Sequence, residues 1–595
     1  MIQDRLKTAI TEALMAIGVV SPKVTLEHPA DIAHGDYSTS VALAYSRELK
    51  LAPRIIADKI VAHLTTLKLD DVAAIEIAGP GFINIRLTRS FFSNEIVRIL
   101  KEGKNFGTNT TLKGKKIVID YTNPNPFKVF HIGHLMANAI GEALSRIIEA
   151  HGAEVVRVNY QGDVGLHVAK AMWGMLQKES EFPKDDATLE DMINYISKAY
   201  VVGAAAYEGD GGSGANKTAK EEIIIINKMI FDRSNPKLMK MYEWGRKVSL
   251  LNFEVIYRKL GTKFDHYFFE SEVAADGVAI VQDFLKRGVF TDSEGAIVFK
   301  GEPYGLHTRV FITSQNLPTY EAKEVGLTRL KFDRFNPDMS IVVTANEQND
   351  YFRVVLKALS IMFPYMAGKM KHVNHGMLRL STGDGASMKM GSRKGNVITG
   401  ESLLSDVSAL ALEKMKDRDF GAQESAKNQA IIDVSVGAIK YSILKQAPGG
   451  DIIYDFEKSI SFEGDSGPYL QYACVRARSL IMKAEAAKIK PFSSSGLFGK
   501  KKANLAAIPA EVTLLEKILY RYPEVVERAG QTYEPHHIVT YLIELSAAFN
   551  NFYANSTIVD ATDKAAPYRV ALTEAFTTVM SNGLNVLGIR VPVKM

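Results

Sequence analysis

Gly114-Lys115-Lys116-Ile117-Val118-Ile119-Asp120-Tyr121-Thr122-Asn123-Pro124-Asn125-Pro126-Phe127-Lys128-Val129-Phe130-His131-Ile132-Gly133-His134 is the stretch on which the fold turns. Ile117-Val118-Ile119 reads as a buried strand. Pro124 and Pro126 forbid both ladder pairing and helix, so a shaped loop follows. A long helix starts at about Gly133, with Met136, Ile140, Leu144 and Ile147 on one face and Gly152 as its C-terminal cap. Val155-Val156-Arg157-Val158 reads as the next strand. Strand, helix, strand is a βαβ unit, which predicts an α/β domain with a doubly wound parallel sheet of the Rossmann type. Further strands of this domain are expected at Ala296 to Lys300, Arg309 to Ile312 and Met339 to Val343.

Outward from this unit the chain divides into three blocks. Residues 1–110 are expected to form an N-terminal α+β domain, with helical patterns and a strand-like piece, Ala73 to Leu87, interrupted at Gly79-Pro80-Gly81. Residues 111–404 contain the sheet, with a helical insertion at about 175–260 that includes the glycine-rich loop Gly209 to Gly214. Residues 405–595 read as helical throughout, divided by a loop that ends in the basic triplet Lys500-Lys501-Lys502. At 595 residues several domains are required. The 46% hydrophobic and 23% charged fractions suit a soluble globular chain, and a net charge of +5 permits a polyanionic partner without demanding one. A single cysteine, Cys474, excludes an internal disulfide and a Cys-rich structural zinc site. The N-terminus lacks a signal-peptide core, and no apolar run is long enough to span a membrane, so a cytoplasmic protein is expected.

The loop after the first strand is where such sheets bind ligands. A helix N-terminus offers free N–H groups and positive potential to phosphate. His131 and His134 can donate hydrogen bonds to it, Gly133 admits close backbone approach, and Lys128 adds charge. Isolated, a His-x-x-His pair would more often be two core histidines. His131-Ile132-Gly133-His134 directly after a strand and a proline loop resembles the HIGH signature of class I aminoacyl-tRNA synthetases. The second signature of that family, KMSKS, is resembled by Lys389-Met390-Gly391-Ser392-Arg393-Lys394. By itself that segment reads equally well as a basic surface turn. Its fourth position is Ser392 rather than lysine. The resemblance implies that Lys128, three residues before His131, compensates, as in the arginyl branch of the family. It further implies that His131, Gly133, His134, Lys389, Met390 and Arg393 bind ATP, and that Lys128, His131, His134 and Lys389 stabilise charge on phosphate.

A guanidinium substrate is always charged and presents a planar fork, so its pocket needs carboxylates. Asp120 ends the first strand, five residues before Asn125. Tyr320 and Glu324 are four apart, on one face if helical. Gln348 follows the Met339 strand. These positions, with Glu270, resemble the arginine-binding set of arginyl-tRNA synthetases. Glu324 stands where that family commonly has aspartate. Any one of them alone would pass for a surface charge; the ordered set carries the reading.

The resemblance extends to both ends. Ser461-Phe462-Glu463-Gly464-Asp465-Ser466-Gly467-Pro468-Tyr469-Leu470-Gln471 with Arg476 is similar to the entry of the helical anticodon-binding domain. Gly35-Asp36-Tyr37 and Gly79-Pro80-Gly81-Phe82-Ile83-Asn84 are similar to the family's N-terminal tRNA-contacting domain. It implies tRNA contacts at Phe82, Asn84 and Arg476, where stacking and an amide could read an unpaired base. An Asn that some relatives carry at the Gly79 position is absent.

The expected activity is therefore arginine–tRNA ligation, with ATP as substrate, Mg2+ accompanying ATP, arginine and tRNA(Arg) as partners, no protein metal site, no DNA, no membrane, and a monomer. The same resemblance implies weak activation of arginine without tRNA. Lysine should be rejected without an editing domain. Rival readings are a class I synthetase for another amino acid, whose pocket would not need Asp120 and Glu324 together; a non-catalytic tRNA-binding paralogue; and a small nucleotidyltransferase with an HxGH motif, which would leave the end blocks without purpose.

Overall fold

A three-stranded antiparallel sheet opens the chain: β1 (Tyr37–Thr39), β2 (Val72–Ala78) and β3 (Phe82–Leu87), in the order β1-β3-β2. Ile83, Ile85 and Leu87 alternate onto its buried face. There they meet Leu6, Ile10 and Leu14 of helix Ile2–Ala16 and Ile56, Ile60 and Leu64 of helix Pro53–Thr66, each set spaced by four. The interrupted strand read at 73–87 is thus a hairpin, with Gly79 and Gly81 at positive φ in its turn. The computed structural model describes residues 1–209, 217–381, 387–389, 399–416, 418, 424–492 and 508–595. Residues 1–109 form one compact unit with 472–529 and 537–584. Helical segments of this unit come from Gly467–Ala486, His536–Asn555 and Ala566–Val586, and Phe549 stacks on Phe576 at 3.9 Å between ring centres.

The second unit comprises residues 110–471, 530–536 and 585–595. Its centre is a parallel sheet of β4 (Lys116–Asp120), β5 (Glu154–Gln161), β6 (His266–Phe269), β10 (Met339–Ala345) and β11 (Met370–His375), in the order β11-β10-β4-β5-β6. Helix Ile132–Ala150 connects β4 to β5, as the periodicity predicts, and the chain leaves it through Gly152 at φ +88°. Between β5 and β6 lie helices Leu166–Gln177, Leu189–Glu208, Lys217–Asp232 and Pro236–Leu260, packed through Met172, Tyr195, Ile223 and Tyr242. The loop read at Gly209 to Gly214 lies outside the described residues from Asp210 onward.

The segments at 296–300 and 309–312 are strands, as expected, but lie outside the parallel sheet. As β8 (Ala296–Phe299) and β9 (Arg309–Ile312) they pair antiparallel, and with β7 (Thr291–Ser293) they make a separate sheet. Glu294 and Gly295 at positive φ form a tight turn, which a parallel crossover cannot use. The C-terminal block is not wholly helical. β14 (Ile452–Tyr454) runs parallel to β12 (Leu378–Ser381), which pairs with β13 (Ser387–Lys389). Three residues are too few for a periodicity to register.

Residues 585–595 are built into this second unit. The buried ammonium of Lys440 donates to the carbonyls of Leu260 and Gly588, both at 2.8 Å. Arg590 meets Asp433 at 3.0 Å, and Gln471 donates to the Arg590 carbonyl. Leu587 and Ile589 are buried. Arg146 reaches Asn585 and also pairs with buried Glu142, which accepts from the Tyr121 hydroxyl at 2.7 Å.

Candidate active site

The loop that leaves β4 is held in a conformation its residues do not favour. Thr122, Asn123 and Phe127 all have positive φ, at 78°, 49° and 66°. For a β-branched threonine that is a true outlier, and such strain persists only where the surroundings over-determine it. Asn138 Nδ2 donates to Thr122 Oγ1, the Tyr160 N–H donates to Asn123 Oδ1, and the Phe127 N–H donates to Ser249 Oγ. Two helices and β5 thus fix the loop from three sides.

It delivers His131 to the N-terminal cap of helix Ile132–Ala150, with His134 one turn on. The two imidazoles stack with centres 3.5 Å apart. The His131 backbone N–H donates to His134 Nδ1 at 3.2 Å, so the His134 proton sits on Nε2, free to donate. Burial lowers both basicities, with Lys128 adding repulsion: His131 falls to about 4 and His134 well below the ordinary range. Both are neutral donors at pH 7, and the positive potential comes from the helix end and Lys128. The Lys128 ammonium lies 5.6 Å from the Tyr200 ring, and burial followed by nearby Lys170 lowers its affinity for a proton. A Cβ on Gly133 would sit 3.0 Å from the His131 ring.

Next to this histidine pair the sheet gathers acids. Gly162, after β5, leaves no room for a side chain: a Cβ would be 2.4 Å from Asn125 Oδ1 and 3.3 Å from Glu270 Oε1. Asn125 and Glu270 are therefore neighbours. Glu270 accepts from Lys323 Nζ at 2.8 Å. Asp120, 1% exposed, is paired through Oδ2 with the equally buried Lys331, while its Oδ1 has no hydrogen-bond partner. Glu324, on the same helix Tyr320–Phe335, accepts only a long bond of 3.3 Å from Thr328. Burial pushes its carboxyl up to about 7; Lys331 opposes that and Asp120 adds to it. The Tyr160 hydroxyl is buried and unpartnered, within electrostatic reach of Glu270, Glu324 and Asp120. Beneath Glu270, buried Asp163 accepts from the Ser271 N–H and Oγ and from Tyr242, and forms an ion pair with Arg246 at 3.1 Å.

Tyr320 begins its helix 68% exposed, with its carbonyl accepting from Tyr351, and Gln348 lies exposed beyond the end of β10. Tyr320 lies within electrostatic reach of Glu270, and Lys323 Nζ is 5.2 Å from its ring centre. Lys389 ends β13; Met390, Arg393 and the rest of that motif lie outside the described residues, as does the triplet at 500–502. The chain returns at Thr399, which bridges to His131. In the other unit Phe82 is 41% exposed, whereas Asn84 is buried with its Oδ1 accepting from Ser38. Arg476 stacks over Tyr472 and Tyr553. Lys331, Tyr160 and Asp163 escaped sequence reasoning. Only the seven-residue step from Glu324 to Lys331 could have signalled one of them.

Among the described residues no helix is long and apolar enough to cross a membrane. The family model for the catalytic domain of class I (R) tRNA synthetases matches residues 95–456, more than half of the chain. The arginyl-tRNA synthetase N-terminal domain matches 2–87, and the DALR anticodon-binding domain matches 470–595. The arginine–tRNA ligase of Treponema denticola is 29% identical over 96% of this chain and 94% of its own length; that of Limosilactobacillus reuteri is 29% identical over the whole of both. The arginyl-tRNA synthetase structure of Thermus thermophilus shares the fold with a TM-score of 0.80 at 22% identity over the full length of both chains. With its middle matched by the catalytic model and both ends by the family's own terminal domains, this chain belongs to the class I arginyl-tRNA synthetases.

Proposed function

We propose that this arginine–tRNA ligase forms arginyl-adenylate between the acids at Asp120 and the histidines at His131 and His134, then passes the arginyl group to the 3′ end of tRNA(Arg). Supporting this is one observation: the buried Asp120 carboxylate and a pair of imidazoles that are neutral at pH 7 lie on one strand–loop–helix connection, at the ligand-binding end of a parallel sheet. Asp120, Asn125, Glu270, Tyr320, Glu324 and Gln348 hold arginine, the acids taking its guanidinium and ammonium. The arginine carboxylate oxygen attacks the α-phosphorus of ATP, a P–O bond forms, and pyrophosphate leaves. His131 and His134 donate to the phosphate oxygens as charge grows there, and Lys128 and Lys389 add positive charge. Gly133, Met390 and Arg393 line the nucleotide. The terminal ribose hydroxyl of tRNA then attacks the acyl carbon and AMP departs.

Mg2+ enters as the companion of the ATP phosphates and is part of that substrate. Phe82, Asn84 and Arg476 contact tRNA. The domains run 1–110, 111–404 and 405–595 on this reading, and the enzyme acts as a cytoplasmic monomer. Aminoacylation of total tRNA with each of the twenty amino acids tests it: arginine alone should label, and labelling by another amino acid overturns it.

A further inference from the structure

A pocket for a cation that already contains a buried lysine needs explaining. Helix Tyr320–Phe335 presents Lys323, Glu324 and Lys331 to the same place. Lys323 neutralises Glu270, and Lys331 neutralises Asp120. Among the described residues Glu324 forms no ion pair, although Lys331 lies within electrostatic reach of it. The groups around it are Asp120 from β4, Tyr160 from β5, Thr328 and Lys331 from its own helix, Tyr351 from helix Asn349–Met362, and beyond these Glu270 with Lys323. All the acids are buried, so unpaired negative charge is expensive. Among Asp120, Glu270, Glu324, Lys323 and Lys331 the acids exceed the lysines by one; Lys128 and Asp163 act on Glu270 from outside this group.

Resting on the arginine-pocket reading above, we infer that Lys331 is a specificity-determining positioning residue: by pairing with Asp120 and turning it, it leaves the pocket one carboxylate without an ion pair, Glu324, matched to a single guanidinium. The orphaned Asp120 Oδ1 and the Tyr160 hydroxyl then complete the ligand's polar contacts without adding net charge. Without Lys331, Asp120 and Glu324 would face each other as like charges and share a proton, which arginine would have to displace.

The test is the Michaelis constant for arginine across pH 5.5–9 (~0.5-unit steps, resolving shifts of order one unit), at saturating ATP and tRNA, in wild type, Lys331→Met, Asp120→Asn and the double variant. Lys331→Met should raise the arginine KM about tenfold at neutral pH and move the acid-side midpoint up by about one unit. Asp120→Asn leaves Lys331 facing Glu324 alone and should move the midpoint down. The double variant restores the charge count and should fall between them. The KM for ATP should stay within about twofold in Lys331→Met, since that site lies on the histidines. Midpoints that do not move in opposite directions overturn the inference. If Lys331→Met does not fold, the absence of a downward move in Asp120→Asn overturns it. Glu324→Gln runs in parallel: an unchanged arginine KM there would sink the pocket reading itself, whereas a raised KM with unmoved midpoints elsewhere would sink only the role of Lys331.

Discussion

Gly400 donates its backbone N–H to the Phe130 carbonyl at 2.7 Å, and Thr399 bridges to His131 beside it. The segment that re-emerges after the Lys389 motif is thereby stitched to the residue that starts the phosphate helix. A Cβ at Gly400 would lie 2.8 Å from the Phe130 ring, which is fully buried and cannot yield.

Gly400→Val should accordingly displace Phe130 and His131 together. The expected outcome is a fall of at least about tenfold in single-turnover adenylate formation, since a misplacement near 1 Å can cost up to ~100-fold. Affinity for tRNA, measured by filter binding, should hardly change.

His134→Ala removes an Nε2–H donor and, with Nδ1, the acceptor for the His131 N–H. Losing one such donor to developing charge is worth roughly 100- to 1,000-fold in rate. The check is burst-phase adenylate formation alongside tRNA binding. Unchanged turnover would remove His134 from the chemistry.

Glu324 couples substrate binding to pH. Its carboxyl is held up at about 7, and only the ionised form pairs with a guanidinium. The arginine KM should therefore climb as pH falls below about 7. In the free enzyme the sign of the stability term is opposite. A carboxyl raised above its ordinary 4.5 stabilises the fold fully below that value, and the contribution is lost as pH rises to about 7, on the order of 3 kcal/mol. Glu324→Gln should melt at or above the wild-type temperature at pH 8 while raising the arginine KM there by about 30-fold or more. A lower melting temperature at pH 8 would contradict this.

Asp163 ties the insertion to the site. Asp163→Asn keeps its size but deprives Arg246 of a buried counter-charge and weakens the grip on Ser271. Calorimetry should show a loss of about 3–5 kcal/mol. The arginine KM should rise as well, because Glu270 immediately precedes Ser271.

The βαβ core and the histidine pair were legible because each rests on local order: an apolar run, two prolines, and a helical period from Met136 to Ile147. Asp120, Asn125, Glu270 and Glu324 were named from a resemblance, and their convergence depends on strand adjacency that no single segment encodes. Lys331 and Tyr160 stayed hidden for a physical reason. A lysine on a helix is ordinarily solvated and a strand tyrosine ordinarily core, so neither stands out until the neighbouring strand is known. The strands β8 and β9 were legible as strands, but they are four residues each, a length at which a run's sheet membership is decided by its turn. The strand β14 was missed inside a helical block because its pairing partner, Leu378–Ser381, lies some seventy residues upstream.

Residues 585–595 complete the second unit by capping Lys440 and pairing Asp433 with Arg590. A ribosome delivers roughly 5–20 residues per second, so Lys440 waits about 7–30 s for Gly588. Until then Lys440 has the Leu260 carbonyl alone and Asp433 lacks Arg590, beside the network that reaches Tyr121. A message cut anywhere before the codon for Asn585 thus yields not a slower enzyme but an unfinished catalytic unit.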